Sequence, residues 1–97
     1  MNSFSKKVFD EVYVLFDCKV ARTPKKQVGD WLPKHEGFEF ETTVLEFSDG
    51  KCYIPVFTSR NDIPSCLKKG RWIEKRNIAD VLKEAKRINT FVLKKVA

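Results

Sequence analysis

Apolar residues near the start of the chain, Phe4, Val8, Val12, Leu15 and Phe16, recur at three- and four-residue steps. That spacing marks one face of a helix and predicts an amphipathic helix over 3–16. Residues 17–23, DCKVART, read as a short strand stopped by Pro24. Residues 23–37 contain two Pro, two Gly and no period, and so form the longest connection, of a length that often carries function. Beyond it, apolar positions at 38, 40 and 44 and then at 45 and 47 predict a strand whose phase changes at a bulge or bend near Val44.

Asp49–Gly50 is a strong two-residue hairpin signal, because a type I′ turn needs positive φ at both central positions. Centred there, the pairing sets Phe47 opposite Cys52, Leu45 opposite Ile54 and Thr43 opposite Val56 on an inward face. Glu46 then opposes Tyr53 and Val44 opposes Pro55 on an outward face, with Phe57 beyond them. Pro55 has no N–H to donate, so its nitrogen belongs at an edge or beside a bulge. Ser59 with Asp62 resembles a capping box ahead of a short helix that carries Ile63 and Leu67 inward and ends at Gly70. Trp72 and Ile73 suggest a brief strand. Asn77 opens a second helix with the stripe Ile78, Val81, Leu82, Ala85 and Ile88, and residues 90–93, TFVL, form the last strand. The expected class is α+β: a small, mostly antiparallel sheet with a central hairpin over 38–57, packed against two or three helices.

Ninety-seven residues suffice for one domain that folds without staples, and the expectation is a single domain over 1–97. The N-terminal stretch superficially resembles a signal peptide, but Asp10, Glu11 and Asp17 interrupt it and no small-residue cleavage site follows. No apolar run is long enough to span a membrane. Cys18, Cys52 and Cys66 are odd in number and lack metal-ligand spacing, which points to free, buried thiols in the cytoplasm. Residues 1–59 carry 8 Lys/Arg against 9 Asp/Glu, and residues 60–97 carry 11 against 4, so the whole net charge of +6 comes from the C-terminal part.

The segment YIPVFTS, Tyr53 to Ser59, followed by a short helix, a second helix and a final apolar strand, resembles the N-terminal domain of SseB-type proteins. The likeness runs from about Val12 to Leu93 and includes a strand that ends at Pro24. It implies a bacterial, intracellular α+β module with no catalytic residues. The chain departs from the family after its last strand, where an Asn-Pro turn is usual and FVL here runs into Lys94, Lys95, Val96 and Ala97. A second domain is therefore not expected.

His35 is the only histidine and sits between Lys34 and Glu36, without metal-site spacing. Glu39 with Glu41 and Asp10 with Glu11 read as surface charge, and the isolated glycines form no phosphate loop. No cofactor, metal or catalysis is expected. Two surfaces are candidates for binding. Trp31, Phe38, Phe40, Tyr53 and Phe57 would form an apolar protein contact wherever they remain exposed. Lys68, Lys69, Arg71, Lys75, Arg76, Lys83, Lys86 and Arg87 would form an anion contact, although only Trp72 interleaves them as a stacking ring. The expectation is a protein-binding module, an adaptor, inhibitor or immunity-like partner, with nucleic-acid or polyanion binding as the alternative.

Overall fold

Residues 12–16, VYVLF, are β-branched and aromatic apart from one Leu, a composition that favours extended chain. In the computed structural model, which describes residues 11–21 and 29–94, they form the middle of β1 (Glu11–Val20). Val12, Val14 and Phe16 are buried on one face of the sheet and Leu15 on the other. The helix expected over 3–16 is therefore corrected for residues 11–16; the remainder of that span lies outside the described residues. A strand buried on both faces reads as a continuous apolar run, and such a run satisfies a helical spacing by chance. Asp17 to Val20 continue β1, while the end of the short strand expected at 17–23 lies outside the described residues.

The other strands are β2 (Phe38–Thr42), β3 (Leu45–Glu46), β4 (Cys52–Phe57), β5 (Arg71–Asn77) and β6 (Phe91–Lys94). β1 lies antiparallel to β5 from Glu11↔Asn77 to Asp17↔Arg71. It also pairs with β4 at Tyr13↔Phe57 and Val14↔Val56, and with β2 from Phe16↔Thr42 to Val20↔Phe38. The bend expected near Val44 is present: β2 ends on β1, and β3 begins on β4. At the corner Thr43 is buried, its N–H donates to the Leu15 carbonyl (3.1 Å), and its hydroxyl donates to Asp17 Oδ1 (2.8 Å). Pro55 falls where β4 has left β3 and not yet met β1. β6 runs parallel to β4, from Tyr53↔Phe91 to Val56↔Lys94, giving a mixed six-stranded sheet that is mostly antiparallel.

The hairpin register is one residue away from the expected one. Leu45 faces Tyr53 and Glu46 faces Cys52, and the Phe47 N–H donates to the Lys51 carbonyl at 3.0 Å. Gly50 has φ +81, whereas Asp49 is not among the residues with positive φ, so a type I′ turn is excluded. The loop is three residues, Ser48 to Gly50, closed by Gly50 N–H on the Phe47 carbonyl (2.9 Å), with Gly50 supplying the left-handed bulge position. Asp49 Oδ1 takes the Lys51 N–H at 2.8 Å, which stabilises this turn over the tighter one. Because side chains alternate, the shift moves Leu45 and Phe47 to the opposite face of the sheet.

Ser59 caps a 3-10 turn, Arg60–Asp62, by accepting the Asn61 N–H. It is followed by α1 (Ser65–Lys68) and, after β5, by α2 (Ile78–Arg87), whose cap Asn77 accepts the Ala79 N–H at 2.8 Å. α2 covers one face through Val81 and Ala85, against Val12, Val14, Phe40, Ile54 and Val56. The 3-10 turn and α1 cover part of the other through Ile63 and Leu67, against Leu15 and Phe57. Leu82, expected in the helix stripe, is 55% exposed, and Glu84 is buried instead.

Candidate interaction surfaces

The five aromatic candidates separate on the sheet. Phe57 is fully buried against Leu15 and Ile63, and Phe40 is buried edge-on to Trp72 at 5.3 Å. Trp31 packs edge-on to Phe16 at 5.6 Å and its Nε1 donates to Thr42 Oγ1 at 2.8 Å. Phe38 meets the His35 ring at 5.3 Å. Trp31 and Phe38 lie against the α2-side core, and of the five only Tyr53 belongs to a solvent-facing cluster.

That cluster is built by the shifted hairpin and the parallel strand. Tyr53 sits between Phe47, at 5.1 Å between ring centroids, and Phe91, at 5.7 Å. Phe47 is 39% and Phe91 52% exposed. Lys51 Nζ lies 5.3 Å from the Phe91 centroid, a distance at which the ring quadrupole attracts the ammonium. The Tyr53 hydroxyl donates to Asp49 Oδ2 at 2.9 Å. The Lys51 N–H and this hydroxyl hold the Asp49 carboxyl below its ordinary range, and the same bond raises the Tyr53 phenol. The turn thus orients the central ring. Phe47 and Phe91 are not among the sequence candidates, because the two-residue-turn register sends Phe47 inward, and Phe91 acquires its neighbour only through parallel pairing across distant chain.

The cations do not form one face. Arg71 lies on the α1 side, where it donates to Asp17 Oδ1 at 2.8 Å and to the Leu67 carbonyl; Lys68 and Lys69 adjoin it at the end of α1. Lys75, on the same side, spans Glu11 and the Tyr13 ring. Arg76 lies on the α2 side, donating to the Trp31 carbonyl through Nε (3.1 Å) and Nη2 (2.9 Å) and to Glu74 Oε1 through Nη1 (2.7 Å). Its guanidinium stands 5.3 Å from the Phe16 ring and 5.8 Å from Trp31. Burial pushes the Glu74 carboxyl up, but hydrogen bonds from Trp72 and Arg76 with the Arg76 charge outweigh it, and the net displacement is downward. Arg87 pairs with the buried Glu84 (2.9 Å), while Lys83 and Lys86 are exposed on α2. A cleft of about 380 Å³ between α2 and the 29–32 loop sets Arg76, Lys83 and Arg87 among Asp30, Asp80 and Glu84. Its cations are matched by carboxylates.

His35 is held by Phe38 and by Trp72 (5.5 Å), with Nδ1 3.1 Å from the Glu36 carbonyl oxygen. Cys18 and Cys52 are half-buried and Cys66 is exposed on α1, which corrects the expectation that all three thiols are buried. Among the described residues no group of three His, Cys, Asp or Glu side chains could hold a metal ion, and no helix is long and apolar enough to cross a membrane. Comparison with protein-family models, with curated proteins and with solved structures found no match to this chain.

Proposed function

We propose that this domain is a non-enzymatic protein-interaction module, an adaptor, inhibitor or immunity-like partner working in the cytoplasm and resembling the N-terminal domain of SseB-type proteins. The observation that carries the reading is the aromatic trio on one end of the sheet, in which exposed Phe47 and Phe91 flank a half-buried Tyr53. Exposed aromatic side chains of this kind supply large contact area at low conformational cost and are enriched in protein interfaces. The alternative, polyanion binding by the C-terminal cations, has less support. Arg71, Arg76 and Arg87 are each committed to a carboxylate, and Arg71 and Arg76 point to opposite faces.

Affinity capture from a nuclease-treated lysate of the native cells, with wild type beside a Phe47→Ser/Phe91→Ser variant, tests the proposal. A discrete protein held by wild type and lost by the folded variant is the expected result. Recovery of nucleic acid alone before nuclease treatment, with no protein in either lane, would overturn it.

A further inference from the structure

Among the described residues β6 pairs only with β4, so its outer edge carries backbone groups without a strand partner. An unpaired edge is a template for a further strand, and native proteins blunt such edges with charge, Pro or a covering element. β6 reads FVLK, with no Pro and a charge only at its last residue. Beside the edge, α2 and β6 enclose a groove of about 310 Å³, walled by Leu82, Lys86, Asn89, Thr90, Phe91 and Val92. Leu82 and Phe91 are respectively 55% and 52% exposed, more than any other large apolar side chain described except Val20. Leu82 reaches the edge from the helix-covered side, and Phe91 belongs with Tyr53 to the opposite side. A strand laid along β6 alternates its side chains between those two sides, so both rows would meet apolar surface.

The charge around the groove selects the occupant. The flank of α2 towards β6 presents Leu82 and Lys86, with Asn89 just past the helix end, and the groove lining as a whole contains no carboxylate. Asp80 and Glu84 line the opposite flank, towards the 29–32 loop. Lys94 ends β6 and Lys51 lies over Phe91. We infer that the β6 edge and the α2 groove take an extended acidic segment of a partner protein by strand addition. Main-chain pairing would supply affinity, Leu82 and Phe91 alternate apolar contacts, and Lys86 the preference for carboxylates. The inference rests on the protein-binding reading and names its site.

Selection of displayed random peptides of about ten residues, enough to overhang the four residues of β6, tests it on the full chain. Acidic peptides with alternating apolar positions should emerge. Leu82→Glu and Lys86→Glu should each weaken their binding by at least about tenfold. Both side chains are exposed, so the variants should keep the wild-type circular dichroism. With wild type alone, peptide binding should slow amide exchange in residues 91–94. Absence of acidic enrichment, equal binding by both variants, or protection elsewhere would overturn the inference. So would a wild-type dimer that Leu82→Glu makes monomeric, since the occupant would then be a second copy. Peptides bound at another site would leave the protein-binding reading standing; failure of lysate capture would remove that reading itself.

Discussion

Replacing Arg76 separates a structural cation from a ligand-binding one. Its side chain is only 16% exposed, and it ties the loop at Trp31 to the sheet through two hydrogen bonds to one carbonyl and an ion pair with Glu74. Hydrogen bonds from a charged donor contribute about 1.5–3 kcal/mol each. The two here share an acceptor and add less than twice that figure, while Glu74 is left partly buried with only the Trp72 N–H. Loss of contact with the Phe16 and Trp31 rings adds about 0.5–1 kcal/mol. Arg76→Ala should therefore destabilise the domain by about 3 kcal/mol, a fall in Tm of roughly 12–20 °C at this size. Urea unfolding followed by tryptophan fluorescence measures the change, since both Trp31 and Trp72 adjoin the network. Arg76→Lys should recover part of the loss, because it keeps the charge without the guanidinium fork. A fall below about 0.5 kcal/mol for Arg76→Ala would refute the reasoning, that being the effect expected at an open surface site.

The buried and exposed aromatics should respond in opposite ways: Phe57→Ala should cost about 3–5 kcal/mol and Phe47→Ala under about 1 kcal/mol, read from urea midpoints. Gly50→Ala should cost about 1 kcal/mol, since φ +81 is strained for any side chain, and refolding traces will report it. The folded pKa of Glu74 lies below its unfolded value. Its contribution is therefore present above the ordinary carboxylate range and is lost as pH falls through the folded value. Urea midpoints taken from roughly pH 7 to pH 3 should fall less steeply for Glu74→Gln than for wild type.

Much of the architecture was legible where local chemistry decides it. The cap at Asn77, the bend at Thr43 and Val44, and the α+β class follow from residues that act on their immediate neighbours. β1 was misread because strand burial on two faces erases alternation. β5 was legible only at Trp72 and Ile73, because Glu74 and Arg76 occupy core-side positions that a polar–apolar reading assigns to solvent. Their mutual ion pair and the Trp31 carbonyl make those positions tolerable. The hairpin failed by one residue because Asp-Gly serves both a two-residue turn and a three-residue loop, and the choice rests on the Asp49–Lys51 bond. That residue decided the candidate site, since it turned Phe47 outward. Phe91 needed tertiary pairing to become visible.

Photo-crosslinking addresses the central claim that the aromatic end of the sheet contacts a protein. A benzophenone side chain placed at residue 47 or 91 should, on irradiation in the native cell, yield the same discrete protein adduct. The same group at exposed Lys69 or Arg87 should yield none. Adducts arising equally from all four positions, or only from residues 69 and 87, would contradict the account.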